Sequence, residues 1–280
     1  MITDAQVHIW NAATPQEPWD PKAQSHLPDP MPAERMLKFM DEAGIARALI
    51  SPAGVAPDRD PSCAQAAAAK YPKRFSVMAW FVPHVPSQWK ILPKWLDQPG
   101  VNSLRLSMNE PEHKKLFADG AFEPVWQACV DQDMPVAVWT RDGPAFMEPV
   151  LQKYPNLQFI VDHFAWAVPG DKREAKMQAM INLARFKNVT VKVSSLPLVS
   201  GSAAPEYEDL HPLIKRVHAA YGAERLMWAS DQTQTMGKCR GTYAENADII
   251  RKYAAAYLPA ADIQKMMHDT ATRVFKWPVA

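Results

Sequence analysis

The chain is predicted to fold as an α/β protein of the (β/α)8 barrel class, and three observations predict it. Eight short apolar or β-branched runs alternate with longer helical patterns, which is the signature of βα units and a parallel sheet. The length of 280 residues suits such a barrel, which uses about 250 residues as one domain. A doubly wound sheet also alternates, but no G-x-G-x-x-G follows the first run and no Walker P-loop occurs. No internal repeat, linker or composition shift divides the chain, so residues 1–280 are expected to form a single barrel domain.

The strands are expected at Ile2–Ile9, Ala46–Ser51, Phe75–Val82, Val101–Ser107, Pro135–Thr140, Leu157–Asp162, Val189–Ser194 and Arg225–Ser230. The first helix, Ala33–Ala43, carries Met36, Leu37, Phe39 and Met40 and stops at Gly44, a good C-terminal cap. An alanine-rich helix over Cys63–Tyr71 stops before Pro72. Ala121–Asp133 places Phe122, Val125, Trp126 and Cys129 at helical spacing, and Ala145–Tyr154 stops before Pro155. Glu174–Phe186 and Pro205–Tyr221 follow the same rule, and Tyr243–Tyr257 and Ala260–Phe275 close the chain. The least regular stretch, Asn11–Pro32, is proline-rich and is expected to be a long loop over the active face.

Composition narrows the function classes. Hydrophobic residues make up 48% and charged residues 22%, enough apolar surface to exclude disorder as the main state. The formal charge is +1 and there is no basic block, which argues against nucleic-acid or anionic-membrane binding. No apolar run approaches the length of a membrane span, and from the opening residues no secretory signal is expected. Cys63, Cys129 and Cys239 are odd in number and far apart, so bystander thiols in a reducing cytoplasm are expected.

In a barrel, function gathers at the C-terminal ends of the strands. On the first strand Asp4, Gln6, His8 and Trp10 share one parity and are expected to face the axis, with Ala5, Val7 and Ile9 facing the helices. An unpaired buried amide or imidazole costs about 1–3 kcal/mol, so such a polar row is either a network or a site. His8, His163 and Asp231 all fall at strand ends, with Gln6 a step below His8, and Arg105, Arg141 and Lys192 add positive charge. Asp4 is read as a deeper network residue, and Asp162, opposite in parity to His163, as support. Lys192 reads equally as a substrate contact or as the buried partner of a carboxylate. Trp10, Trp139 and Trp166 are candidates to wall a flat ligand.

These residues carry a resemblance. Asp4-Ala5-Gln6-Val7-His8-Ile9-Trp10 resembles the opening D-x-H-x-H/W strand of the amidohydrolase superfamily, and of its amidohydrolase-related group in particular. Asp162-His163 resembles that group's strand-six D-H. Trp228-Ala229-Ser230-Asp231, after Tyr221-Gly222-Ala223-Glu224-Arg225-Leu226, resembles its strand-eight W-G-S-D, and Asp269–Phe275 is similar to its closing N-A-x-x-x-F helix. The chain departs from the pattern where Gln6 replaces the first histidine of H-x-H, Trp139 a strand-five histidine, and Arg105 a strand-four Lys or Glu.

The pyrone-dicarboxylate lactonase type within that group implies hydrolysis of a cyclic ester in a small carboxylated substrate. On that resemblance Asp231 is the general base that activates water, and His8, His163 and Gln6 polarise the carbonyl. Arg105, Arg141 and Lys192, with the three tryptophans, bind substrate. No cofactor is expected to be required, because glutamine is a poor ligand and Arg105 adds positive charge. The alternative is one divalent cation, Zn or Mn, on His8, His163 and Asp231, with decarboxylase or hydratase chemistry. A non-catalytic small-molecule-binding protein, and a homo-oligomer, are the other expectations carried forward.

Overall fold

A computed structural model of the chain describes residues 1–21, 27, 29–202, 206–234 and 241–277. Eight parallel strands lie in sequential order: β1 (Thr3–Val7), β2 (Arg47–Ile50), β3 (Phe75–Trp80), β4 (Val101–Ser107), β5 (Val136–Trp139), β6 (Phe159–Val161), β7 (Val189–Ser194) and β8 (Leu226–Ala229). Just beyond β8, Asp231 N–H donates to Gln6 O at 3.1 Å and Val7 bridges in parallel to Gln232, which joins the last strand to the first. The architecture is the predicted (β/α)8 barrel. β4 and β7 match the sequence reading at both ends; the others are shorter by a residue or more. Among the described residues no helix is long and apolar enough to cross a membrane.

The helix over Ala33–Ala43 forms as predicted and ends on Gly44 at φ 73°, whose N–H caps the last turn. Three short helices escape the sequence reading: Pro86–Ile91, Pro111–Ala118 and Leu196–Val199. Each has proline in its first turn, where the missing N–H costs nothing. Pro205, the expected start of a longer helix, lies outside the described residues, and the regular helix begins at His211. The two closing helices each contain a π-helical turn, at Ile249–Tyr253 and Lys265–Asp269. Cys63 and Cys129 are free thiols, the second buried; Cys239 lies outside the described residues.

The core has two parts. The larger lies between the outer faces of the strands and the helices. The smaller fills the lower barrel with Ala5, Leu49, Met78, Ala137, Ile160 and Met227, and the C-terminal residues Phe275 and Trp277 plug it from below. That floor is hydrocarbon, so polar chemistry is confined to the upper barrel.

β1 corrects the parity expected from its sequence. Its register against β2 shifts between Asp4 and Val7, and such a bulge turns consecutive residues off the strict two-residue alternation. Ala5 joins the barrel floor rather than the helix layer. Asp4 instead receives hydrogen bonds from the Tyr243 hydroxyl at 2.6 Å and from the Ser230 and Gln6 N–H groups. Burial, against those hydrogen bonds, lifts the Asp4 carboxyl to about 6. Of the four residues expected to share one face, Gln6 and His8 reach the upper barrel. Trp10 turns away, pairing with Met31 and lining a separate cavity of about 370 Å³ beneath the Asn11–Pro21 segment. The rest of the expected loop over the active face includes residues 22–26 and 28, outside the described residues.

Candidate active site

The site stands on the last residues of the strands and the first residues beyond them. Three of these residues take left-handed backbone: His163 at φ 47°, Ser195 at 53° and Asp231 at 59°. After β6 the left-handed run continues through Trp166. Each such residue costs about 1–3 kcal/mol and persists only where the surroundings hold it. Here the turn swings each side chain back over the barrel mouth.

Asp231 is the hub. Its Oδ1 accepts from Gln6 Nε2 at 2.9 Å and lies 3.1 Å from His8 Nε2; its Oδ2 accepts from Ser195 Oγ at 2.8 Å. Burial alone would raise this carboxyl. His163 and His8, then Arg105, outweigh it and hold Asp231 well below the usual carboxylate range. Arg105 donates Nε–H to Asp162 Oδ2 at 2.7 Å, Nη1–H to Ser51 Oγ at 3.1 Å and Nη2–H to His163 Nε2 at 2.6 Å. Because His163 Nε2 accepts from a guanidinium, the ring proton sits on Nδ1, which donates to Ser195 Oγ at 2.8 Å. Burial pushes His163 down to about 4, so it is neutral at pH 7.

Below this layer, Lys192 Nζ is 2.7 Å from Asp162 Oδ1 and donates to Gln6 Oε1 at 2.8 Å. Asp162 is held below the usual carboxylate range, because Arg105 and Lys192 outweigh its burial. The two buried cations, Arg105 and Lys192, therefore both pair with Asp162, while Asp231 is held by Gln6, His8 and Ser195. A buried pair needs this matching, because each unpaired ion costs several kcal/mol.

The sequence-predicted residues divide in the structure. Gln6, His8, His163, Asp231, Arg105 and Lys192 form one network, with Trp139 and Trp166 beside it. Lys192 and Gln6 have no exposed surface, and Gln6 lies beneath His8 and Asp231 rather than on the cavity wall. Arg105 is committed to Asp162, Ser51 and His163. His163 has both ring nitrogens engaged. Arg141 stands further out, 5.4 Å from the centre of the Trp139 ring. Trp10 is not part of the site. Sequence reading missed Ser195, Trp80, Arg59 and Gln234. Ser195 had a signal, since it follows β7 as His163 and Asp231 follow their strands; Arg59 and Gln234 lie outside the strands and had none.

A small inner chamber of about 70 Å³ is walled by His8, Asp231, His163, Arg105 and the rings of Trp80, Trp139 and Trp166. It opens past Arg59 and Gln234 into an outer cavity of about 700 Å³ that also touches Arg141, His84 and Glu110. The chamber is large enough for a carbonyl and a water, and the cavity for the rest of a small substrate.

A divalent cation on His8, His163 and Asp231 is tested by what already stands between them. Gln6 Nε2 lies 3.3 Å from His8 Nε2, 3.4 Å from His163 Nε2 and 2.9 Å from Asp231 Oδ1. Lys192 can only donate, so it fixes the amide oxygen downward and turns the NH2 into the space a metal would take. The Nε2 lone pair of His163 is occupied by Arg105. Among the described residues no group of three His, Cys, Asp or Glu is disposed to hold a metal. As placed, the donors do not fit a cation.

A family model described as amidohydrolase matches residues 3–277. The L-fucono-1,5-lactonase of Burkholderia ambifaria is 22% identical over 231 residues, covering 81% of this chain and 79% of the relative. A zinc-bound amidohydrolase from Burkholderia multivorans superposes with a TM-score of 0.81 at 17% identity, covering 99% and 100% of the two chains. A probable 2-pyrone-4,6-dicarboxylic acid hydrolase from Acinetobacter baumannii, with citric acid bound, gives 0.73 at 16% identity over 98% and 99%.

Proposed function

The chain belongs to the amidohydrolase family and is a hydrolase, and we propose that its substrate is the cyclic ester of a small carboxylated molecule. A lactonase among its relatives and the pyrone-dicarboxylate hydrolase fold support that substrate class. The observation that carries the mechanism is the inner chamber, where a buried ionised carboxylate and a guanidinium face the same small volume.

In this reading the lactone carbonyl enters the inner chamber. Arg105 and His8 Nε2 meet its oxygen and stabilise the charge that develops there, at about 10²–10³ in rate for one donor. Asp231 takes a proton from water as the water oxygen attacks the carbonyl carbon. The ring C–O bond then breaks, and the proton passes by way of His8 to the leaving alcohol, giving a hydroxy acid. A carboxylate held as low as Asp231 is ionised at every working pH but is a weak base. When His8 turns to the carbonyl, Asp231 loses one of the contacts that depress it and becomes more basic. Gln6 and Ser195 act through Asp231 by fixing its two oxygens, and His163 acts through Ser195; these are positioning residues. No metal takes part in this reading, because the Gln6 amide and the Arg105 guanidinium already serve the groups that would ligate one.

The test is a panel of sugar-acid and pyrone lactones assayed with wild type and Asp231→Asn. Wild type is expected to hydrolyse at least one carboxylated lactone, and the variant to lose about 10²–10⁴-fold in kcat with little change in KM. Full turnover by Asp231→Asn would remove it as the base.

A further inference from the structure

Two of the cations expected to hold a substrate carboxylate are spent inside the protein. Arg105 and Lys192 are both committed to Asp162 and are almost wholly buried. A different guanidinium stands where the inner chamber opens outward. Arg59 borders both the chamber and the outer cavity and packs 4.8 Å from the centre of the Trp80 ring. Trp80 also carries Arg105, at 4.4 Å, so one indole links the buried cation to the outer one.

Arg59 is half-buried, and among the described residues its side chain makes no hydrogen bond or ion pair. Its nearest influences of opposite sign, Glu110 and Asp20, act only through charge, and Glu110 is bonded to His113 at 3.1 Å. Burial first, then repulsion from Arg105, lower the Arg59 guanidinium to about 10, so it stays a cation at pH 7. A guanidinium partly withdrawn from water, with donors that no described residue takes, is poised for an anion.

The loop is shaped to hold it there. Asp58 and Arg59 are consecutive left-handed residues, at φ 48° and 56°, a costly pairing outside glycine. A side chain at Gly54 would place its Cβ 3.1 Å from Arg59 Nη1, so it would press on the guanidinium where it now stands. Trp139 and Trp166 supply aromatic wall beside the same opening.

We propose that Arg59, stacked on Trp80, is the anchor that selects a ring-bearing carboxylate, gripping its carboxylate at the junction of chamber and cavity while the ester enters the chamber. The inference rests on the carboxylated-substrate reading above but not on which bond is broken. Arg141, exposed at the outer cavity, meets only the far end of a longer anion.

Binding tests this without turnover. Isophthalate, a planar dicarboxylate, and its neutral diamide are titrated into wild type, Arg59→Gln, Arg59→Lys and Asp231→Asn, read by tryptophan fluorescence. Arg59→Gln is expected to weaken isophthalate about tenfold or more while leaving the diamide unchanged. Arg59→Lys should fall between, since an ammonium lacks the planar fork. Asp231→Asn, which removes a negative charge from the chamber wall, should bind isophthalate no more weakly than wild type. The proposal is overturned by unchanged isophthalate binding in Arg59→Gln, by equal loss of acid and diamide, or by no saturation of wild type at about 10 mM. A wild type that binds isophthalate through Arg59 but hydrolyses no lactone would refute the hydrolase substrate and leave the anchor standing.

Discussion

The floor and the mouth of the barrel are built from the same eight strands but obey different rules. In the floor, Leu49, Met78, Ile160 and Met227 interdigitate as hydrocarbon on regular backbone, capped by Phe275 and Trp277. In the mouth, two buried cations share the buried Asp162 carboxylate, a second buried carboxylate, Asp231, is held by hydrogen bonds, and His163, Ser195 and Asp231 themselves are left-handed. The floor gains free energy from each methylene it hides, about 0.8 kcal/mol per CH2. The mouth spends free energy on desolvated charge and strained backbone. It persists because its charges balance and its donors and acceptors match, not because burying them is favourable. Stability therefore resides in the lower barrel and chemistry in the upper one.

The contrast is broken most severely at Lys192. Lys192→Met leaves Asp162 short of one cation and frees the Gln6 amide, and is expected to cost about 3–5 kcal/mol of stability. Turnover per folded molecule should fall as well, because Asp231 loses its oriented partner. Urea unfolding and lactone kcat measured on the same sample check both. The matching change in the floor is Ile160→Ala, expected to cost about 2–5 kcal/mol while the folded fraction keeps its kcat. Equal loss of kcat in the two variants would dissolve the division.

A smaller effect sharpens the comparison through pH. His163 has a folded value near 4 against an ordinary 6.5, so its contribution to stability is complete above pH 6.5 and is lost as pH falls toward 4. Half-exposed His268 is lowered by burial and acts with the same sign. Asp4, raised from 3.8 to about 6, has the opposite sign: its contribution is complete below pH 3.8 and is lost as pH rises through 6. The two oppose each other between pH 4 and 6. Asp4→Asn removes one of them, so its Tm should fall more steeply than that of wild type as pH drops from 6 to 4. Parallel Tm profiles would show that the assigned burial effects are wrong.

The fold was legible because periodicity reports it: alternating runs, proline and glycine stops and the absence of phosphate-binding loops all point to the barrel. Much of the candidate site was legible for the same reason, since His8, His163 and Asp231 lie at or just past strand ends. Three features were not. The bulge in β1 is a matter of register against β2, and residue identities alone do not reveal that Asp4 and Gln6 leave each other's face. The partners of Lys192 and Arg105 depend on which strands are neighbours; once β4, β6 and β7 close together, Asp162 pairs with both cations, so neither is left as the counter-ion of a substrate carboxylate. Arg59 lies on a loop with no period at all, and its position follows from two left-handed residues and a bare glycine that only three dimensions bring together.

The most direct test of the donor-lined site is turnover by protein whose metal content is known. Wild type is treated with chelator, its metal measured by elemental analysis, and its lactone kcat compared before and after. The expected result is an unchanged kcat when the metal content is below about one-tenth of an equivalent per chain. Activity that vanishes on stripping and returns with stoichiometric zinc or manganese would contradict it.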